Sequence, residues 1–295
     1  MKHAFLIFAH NDPKVLKRLL MLLDDPRNDI YLHIDNKAEE IYNDLKGFKP
    51  QHSRFEMLEQ RIDVRWGDVT IIEAEYILLE AALKNGPYAY YHILSGVDLP
   101  IKSQDYIHRF FDQNQGKEFV SFWTDERHER EALWRSSRYY LFTRDLKHQR
   151  RTIGYTIKSL CRNIFLALQK VSRYRRPNGG VVFKKGSNWI SITEPLCKEF
   201  IAQKEWVMRR FKRTLCPDEI FAQTLLWNSA HMANVYCYED PQVGNMRAID
   251  WQRGSPYTWQ NQDTAELLNS PMLFARKFSE SQMAVVDDIY NHLSK

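Results

Sequence analysis

Residues 3–9 (HAFLIFA) form an unbroken apolar run, the pattern of a strand buried on both faces. Asp12 and Pro13 follow as an N-cap and first-turn pair, and VLKRLLMLL then carries a helix. A second run, DIYLHID at 29–35, predicts another strand. Strand, helix, strand in that span is how a parallel α/β sheet begins, and such sheets bind ligands at the carboxyl ends of their strands. His10 and Asp35 fall at those two ends.

The pattern continues with a predicted helix over 71–84 (IIEAEYILLEAALK), closed by Asn85-Gly86-Pro87. AYYHILSG then reads as a third strong strand running into the loop Val97-Asp98-Leu99-Pro100. KEFVSFW at 117–123 is a further strand candidate, whereas NWISIT at 188–193 alternates less cleanly after Gly179-Gly180. Over 155–171, Ile157, Leu160, Ile164, Phe165, Leu168 and Val171 gather near one helical face, with Lys158, Arg162 and Lys170 elsewhere. That spacing fits a surface-seeking helix and equally a helix packed on the domain. No repeat, low-complexity tract or Pro/Gly/Ser-rich linker divides the chain, so 1–295 reads as one domain.

With 44% apolar residues the chain can bury a large core, and its 13% aromatic share suits that core as well as stacking on sugars or bases. The net charge of +5 is local in origin. Between 143 and 185, Arg144, Lys147, Arg150, Arg151, Lys158, Arg162, Lys170, Arg173, Arg175, Arg176, Lys184 and Lys185 face only Asp145, so this segment seeks an anionic partner. Cys161, Cys197, Cys216 and Cys237 show no metal-ligand spacing and read as free thiols in a reducing compartment. The apolar run before His10 is too short for a signal-peptide core, and no stretch reaches the roughly 18 apolar residues of a membrane span. The expectation is a cytoplasmic protein, soluble or peripheral on the inner face of a membrane.

Five segments occur in the order VRWGDVTIIEAE (64–75), LSGVDLPIKS (94–103), GSNWISIT (186–193), CPDEIFAQTLLWNS (216–229) and LFARKF (273–278). Together they resemble glycosyltransferase family 14, the core-2/I-branching N-acetylglucosaminyltransferases and peptide O-xylosyltransferases, in a bacterial-type soluble form. Asp68 stands where the family pattern has a second glycine, and Thr70 lies close to its usual serine. The resemblance implies an α/β fold of the GT-A type, a mostly parallel mixed sheet flanked by helices. It implies a nucleotide-sugar-binding half over 1–125 and an acceptor-binding, catalytic half over 186–295, between which the charge pattern places a basic insertion over 143–185.

It also implies an inverting transfer from a UDP-sugar, foremost UDP-GlcNAc, to a hydroxyl of an oligosaccharide or lipid-linked glycan in surface polysaccharide or glycolipid synthesis. UDP-xylose, UDP-glucose and UDP-glucuronate serve other relatives. No metal or other cofactor is expected: the chain holds no Asp-x-Asp, the usual cation-binding motif of such folds. Fixed cations must then neutralise the departing diphosphate, and Arg276 with Lys277 match that position. Arg253, or else Arg247, is the candidate for a further basic contact.

Inversion needs a carboxylate that takes the acceptor proton, and Glu219 matches the family's base, with Asp218 as its capping, acceptor-side neighbour. Dipole complementarity at a helix start is the other use for both acids. Asp35 resembles the residue that contacts the nucleoside, with Ala9 and His10 beside it, although a carboxylate there can equally cap its own loop. Trp66 and Gly67 resemble donor-pocket residues, Trp66 being equally suited to the core. Asp98 orders its loop or touches the sugar; Trp189 is similar to an acceptor-side stacking aromatic, with Ser187 as its hydrogen-bonding neighbour. A nucleic-acid-binding protein is the reading from another class, carried by pI 8.9 and the basic segment. It finds no zinc, helix-turn-helix or RNA-recognition signature and leaves Glu219 and LFARKF without a role, so no nucleic acid is expected as a partner.

Overall fold

The computed structural model describes residues 1–146 and 152–294; Lys147, Arg150 and Arg151 of the basic segment lie outside them. Its centre is a five-stranded sheet in the order β3-β2-β1-β4-β6. Here β1 is His3–Ala9, β2 Asn28–Ile34, β3 Arg54–Met57, β4 Tyr90–Ser95 and β6 Ser191–Thr193. The first four pair in parallel and β6 joins β4 antiparallel. β1, β2 and β4 are buried along nearly their whole length, as unbroken apolar runs require when both faces of a sheet are covered.

A smaller sheet has the order β5-β8-β7, from Asp98–Pro100 (β5), Arg247–Ile249 (β7) and Phe274–Arg276 (β8). One apolar cluster packs the Pro13–Leu22 helix, the Met283–Leu293 helix and this small sheet against one side of β1 and β2. A second packs the Thr70–Leu83 helix and the 190–226 region against the other. Val15, Leu16, Leu19 and Leu20 of the first helix are completely buried, each contributing about 1.5–3 kcal/mol of apolar transfer energy. The expected α/β architecture with a mostly parallel sheet is present, and all four cysteines are unpaired.

Three local expectations need correcting. Asp12 precedes the helix and Pro13 opens it, but Asp12 makes no side-chain cap. Its φ is +50°, and its carboxylate instead accepts from the Glu280 backbone N–H at 2.6 Å and the Ser279 hydroxyl at 3.0 Å, tying the start of the chain to its end. Residues 117–123 form no named strand. Phe119 exchanges both backbone bonds with Ser191, but Gly186 then approaches so closely that a Cβ there would lie 2.0 Å from the Ser121 carbonyl oxygen. Ser187 N–H turns to the Ser121 side chain at 3.1 Å, and the ladder does not propagate. The segment at Pro217 is a single 3-10 turn, Pro217–Glu219, leading into the short helix Phe221–Trp227.

Candidate active site

β1, β2 and β4 run parallel and so end on the same edge of the large sheet. There the Asp35 N–H donates to the Ala9 carbonyl at 2.8 Å, and the Gly96 N–H to the Phe8 carbonyl at 2.7 Å. The Asp35 carboxylate is buried and accepts from the Lys37 backbone N–H at 2.8 Å and from Lys37 Nζ at 2.9 Å. Asp35 thus turns its own loop as an Asx residue does. Lys37 continues to the Val64 carbonyl at 2.8 Å and to the Asp63 carboxylate, joining this edge to the Trp66 loop. His10 exposes one edge, but desolvation of its ring lowers its pKa; Asp35 opposes that shift, and Arg276 and Lys37 reinforce it. With Asp12, which also opposes the shift, five residues separated by up to 266 positions act on one another's charge here.

The small sheet supplies the cations. Asp98 faces Arg276 across the β5–β8 pair. Its Oδ1 accepts from the Arg276 guanidinium at 2.7 Å and its Oδ2 from the Ser95 N–H at 2.7 Å, while the Ser95 hydroxyl accepts a second bond from Arg276. The same guanidinium lies 4.2 Å from the centre of the Trp189 ring, so one face of that indole carries a cation. Lys277 follows, with its backbone fixed by the Trp259 N–H on its carbonyl at 3.0 Å. Its half-buried side chain has no ion-pair partner among the described residues.

Glu219 is built differently. Its Oε2 accepts from Arg135 at 2.8 Å and lies 3.4 Å from the Lys185 ammonium. Glu131, one turn before Arg135 on the Glu126–Ser136 helix, binds the same two cations, reaching Lys185 at 2.7 Å. The Glu219 Oε1 has no hydrogen bond among the described residues, and the side chain is 29% exposed. Behind it, Asp218 is buried, and burial pushes its pKa up to about 7, with the Glu219 charge adding to the effect. Burial also raises Glu75 well above the carboxylate range, Asp218 reinforcing it; neither Glu75 oxygen nor Asp218 Oδ1 has a hydrogen-bond partner. A buried carboxyl without donors favours its neutral form.

The GSNW segment joins the two clusters. The Gly186 N–H donates to the Glu219 carbonyl at 2.9 Å, Ser187 Oγ accepts the Trp189 N–H at 3.2 Å, and Trp189 meets Arg276. Three residues of chain span at most about 11 Å, so this short segment ties the Glu219 turn to the Arg276 cluster.

Several expected residues stand elsewhere. Arg253 is not a free cation: its guanidinium binds Asp250, Asp263 at 3.0 Å and Glu266 at 3.1 Å, which locks its own loop. Arg247 is 1% exposed, holding the Ile190 carbonyl and the Ser191 hydroxyl, and burial brings its pKa down to about 9. Burial keeps Arg247 from a diphosphate, and Arg253, 39% exposed, would meet one only by giving up acid partners. Asp218 neither caps a helix nor opens to an acceptor, because its carboxyl points into the interior. Trp66 is 53% exposed, which removes its core alternative. Gly67 has φ +74° and accepts the Cys216 N–H at 3.0 Å, so it supports the Glu219 turn from behind.

Lys37, Arg135 and Glu75 escaped the sequence reading, and Lys185 entered it only as part of the basic segment. Lys185, next to Gly186, and Glu75, last in the 64–75 segment, sat inside or beside recognised elements. Nothing local connected Arg135 to a carboxylate 84 residues away. Among the described residues no cluster of three His, Cys, Asp or Glu side chains is arranged to hold a metal ion.

The sequence pattern described as Core-2/I-Branching enzyme matches residues 3–270. Xylosyltransferase oxt of Drosophila pseudoobscura pseudoobscura is 23% identical over 286 residues, covering 88% of this chain and 29% of its own length. Xylosyltransferase 2 of Mus musculus is 20% identical over 303 residues, covering 94% of this chain and 32% of its own length. The chain thus spans about a third of the length of the curated relatives it matches. Among solved structures, galactosyltransferase LgtC in complex with donor and acceptor sugar analogs aligns over 99% of this chain and 96% of its own, with TM-score 0.40 and 11% identity.

Proposed function

This chain belongs to the core-2/I-branching enzyme family, and on that premise we propose that it is an inverting, UDP-sugar-dependent glycosyltransferase acting on a hydroxyl of a glycan acceptor. The observation that carries the proposal is the Glu219 carboxylate: one oxygen is held by Arg135 and Lys185, and the other is left without a hydrogen bond among the described residues. A general base needs that combination of fixed orientation and a free lone pair.

In the proposed reaction Glu219 Oε1 takes the proton of the acceptor hydroxyl as its oxygen attacks the anomeric carbon. The bond from that carbon to the diphosphate oxygen breaks on the opposite face, and its electron pair leaves with UDP. Lys277 neutralises the charge that develops there, with Arg276 oriented beside it by Asp98 and Ser95. Asp35, with Ala9 and His10, faces the nucleoside; Trp66 lines the donor side, and Trp189 with Ser187 the border between donor and acceptor. Metal independence belongs to this proposal and is supported by the missing Asp-x-Asp and by the unclaimed Lys277 charge.

Two donors are carried. UDP-GlcNAc comes from the branching-enzyme resemblance, and UDP-xylose is favoured by the relatives named xylosyltransferase. The acceptor we propose is a surface polysaccharide, lipopolysaccharide or lipid-linked oligosaccharide on the cytoplasmic side, a setting in keeping with four unpaired cysteines. A melting panel with UDP, UDP-GlcNAc, UDP-xylose, UDP-glucose and UDP-glucuronate, all in excess EDTA, tests this reading. A ligand at 100 times its Kd stabilises by about 2.7 kcal/mol, which at this chain length raises the Tm by roughly 5–10 °C. UDP and one nucleotide sugar should do so, and DNA or RNA should not. A shift that appears only when Mn²⁺ replaces EDTA would remove metal independence from the account.

A further inference from the structure

The Ile153–Val171 helix is mounted the wrong way round for a helix that stabilises a core. Its outward stripe is Ile153, Ile157, Leu160, Ile164, Leu168 and Val171, each 52–83% exposed and spaced three or four residues apart along 19 residues. A water-facing helix ordinarily turns its polar side outward. Here the side facing the protein is largely polar, Phe165 and Leu166 being its half-buried apolar members: buried Gln169 donates to the Tyr139 carbonyl at 2.9 Å and accepts the Tyr139 N–H at 3.0 Å. The Tyr155 hydroxyl meets the Leu146 carbonyl at 3.4 Å, and Lys158 pairs with Asp145 at 2.9 Å. Polar bonds thus hold the helix to the body while a continuous apolar strip of the kind that marks an interaction site faces out.

The charge around the strip identifies what would cover it. From 152 to 176 the chain has Lys158, Arg162, Lys170, Arg173, Arg175 and Arg176 and no acidic residue. Lys170, Arg173 and Arg175 are exposed at the C-terminal end of the strip, without an ion-pair partner among the described residues. A second copy docking strip to strip would offer these cations no counter-charge, since 152–176 holds no acid, whereas an anionic bilayer offers hydrocarbon to the strip and headgroup charge to its rim. No helix among the described residues is long and apolar enough to cross a membrane, so the contact would be peripheral.

We propose that the outward face of the Ile153–Val171 helix is a docking surface for an anionic lipid bilayer. The helix is bonded through Tyr139, and the following Arg176 N–H through the Ser137 carbonyl at 2.9 Å, to the end of the helix that carries Arg135 and Glu131. A docked helix would therefore set the orientation of the Glu219 cluster relative to the bilayer. The inference does not depend on which sugar, or whether any sugar, is transferred.

Co-sedimentation with vesicles of phosphatidylcholine alone, or of phosphatidylcholine with phosphatidylglycerol, tests it. Recovery at low salt should be about tenfold or more higher with the anionic vesicles and should fall at high salt, as expected when several basic residues sit at the surface. Leu160→Asp with Ile164→Asp should abolish recovery, and Lys170→Gln with Arg175→Gln should reduce it severalfold. All four positions are exposed, so melting temperatures should stay at the wild-type value, and the pair of charge variants keeps the test open if the apolar pair fails to fold. Equal recovery on both vesicle types overturns the proposal. So does a lipid-free dimer that Leu160→Asp with Ile164→Asp dissociates, because it would show that a second copy covers the strip.

Discussion

The two charged clusters joined by the 186–189 segment are mirror images in sign. Around Glu219 a carboxylate is held by two cations, Arg135 and Lys185, which share a second carboxylate, Glu131. Around Arg276 a cation is held by a carboxylate, Asp98, and Lys277 is left over. The first cluster is balanced; the second carries a surplus positive charge. A balanced cluster suits an uncharged hydroxyl whose proton must move, and a surplus cation suits a diphosphate whose negative charge grows as the bond breaks. Within the proposed reaction, the contrast supports acceptor activation at the first cluster and leaving-group stabilisation at the second.

Glu219→Gln should have the largest effect. It keeps size and a bond to Arg135 but cannot take a proton, so turnover should fall on the order of 10²- to 10⁴-fold, alongside a loss of stability from leaving Arg135 and Lys185 one counter-charge short. If Glu219 serves only to balance the charge around it, stability is lost in the same way but most turnover stays. Lys277→Ala should come next, lowering turnover roughly 10- to 100-fold and weakening UDP binding together, because one charge serves donor and leaving group alike. Its melting temperature without ligand should match wild type, since the ammonium holds no ion pair among the described residues.

The smallest effect belongs to Asp218, which supports the first cluster from behind. Its folded pKa is about 7 against an ordinary 3.8. The unfolded chain gives up this proton near pH 4 and the folded chain near 7, so the stability this group contributes is full below about pH 4 and is lost as pH rises through 7. Asp218→Asn removes that titration, and the Tm of the variant relative to wild type should climb by a few degrees between pH 5 and 7.5. The difference between the two proteins is the quantity to read. Burial holds His3 at about 2 and His33 and His108 at about 4, and those groups lose stability in the opposite direction as pH falls below 6.5. A flat difference would show that Asp218 is ionised inside the fold.

How much of this could be read from the chain depends on the range of the interaction. β1, β2 and β4 are long and buried on both faces, so their apolar runs announced them. β5, β7 and β8 have three residues each and exist only because they pair with one another, a fact no local pattern records. The 117–123 segment has strand composition, yet the close approach of Gly186 to Ser121 interrupts its ladder. At the site, the motifs named Glu219, Asp98, Arg276 and Lys277, and the fold places Asp98 against Arg276. Of the partners of Glu219, Arg135 comes from a helix with no motif, and Lys185 shows in the sequence only as part of the basic segment, with nothing local to link it to Glu219. Arg253 and Arg247 were chosen for charge alone; nearby acids in one case and complete burial in the other decide where those charges go.

The division of labour between the clusters is the central claim, and calorimetric titration of UDP in EDTA into wild type, Glu219→Gln and Lys277→Ala tests it most directly. The account predicts equal affinity for wild type and Glu219→Gln and an affinity lower by about tenfold for Lys277→Ala, the effect of roughly 1.4 kcal/mol from one lost charge-assisted contact. Unchanged binding in Lys277→Ala together with weakened binding in Glu219→Gln would contradict it.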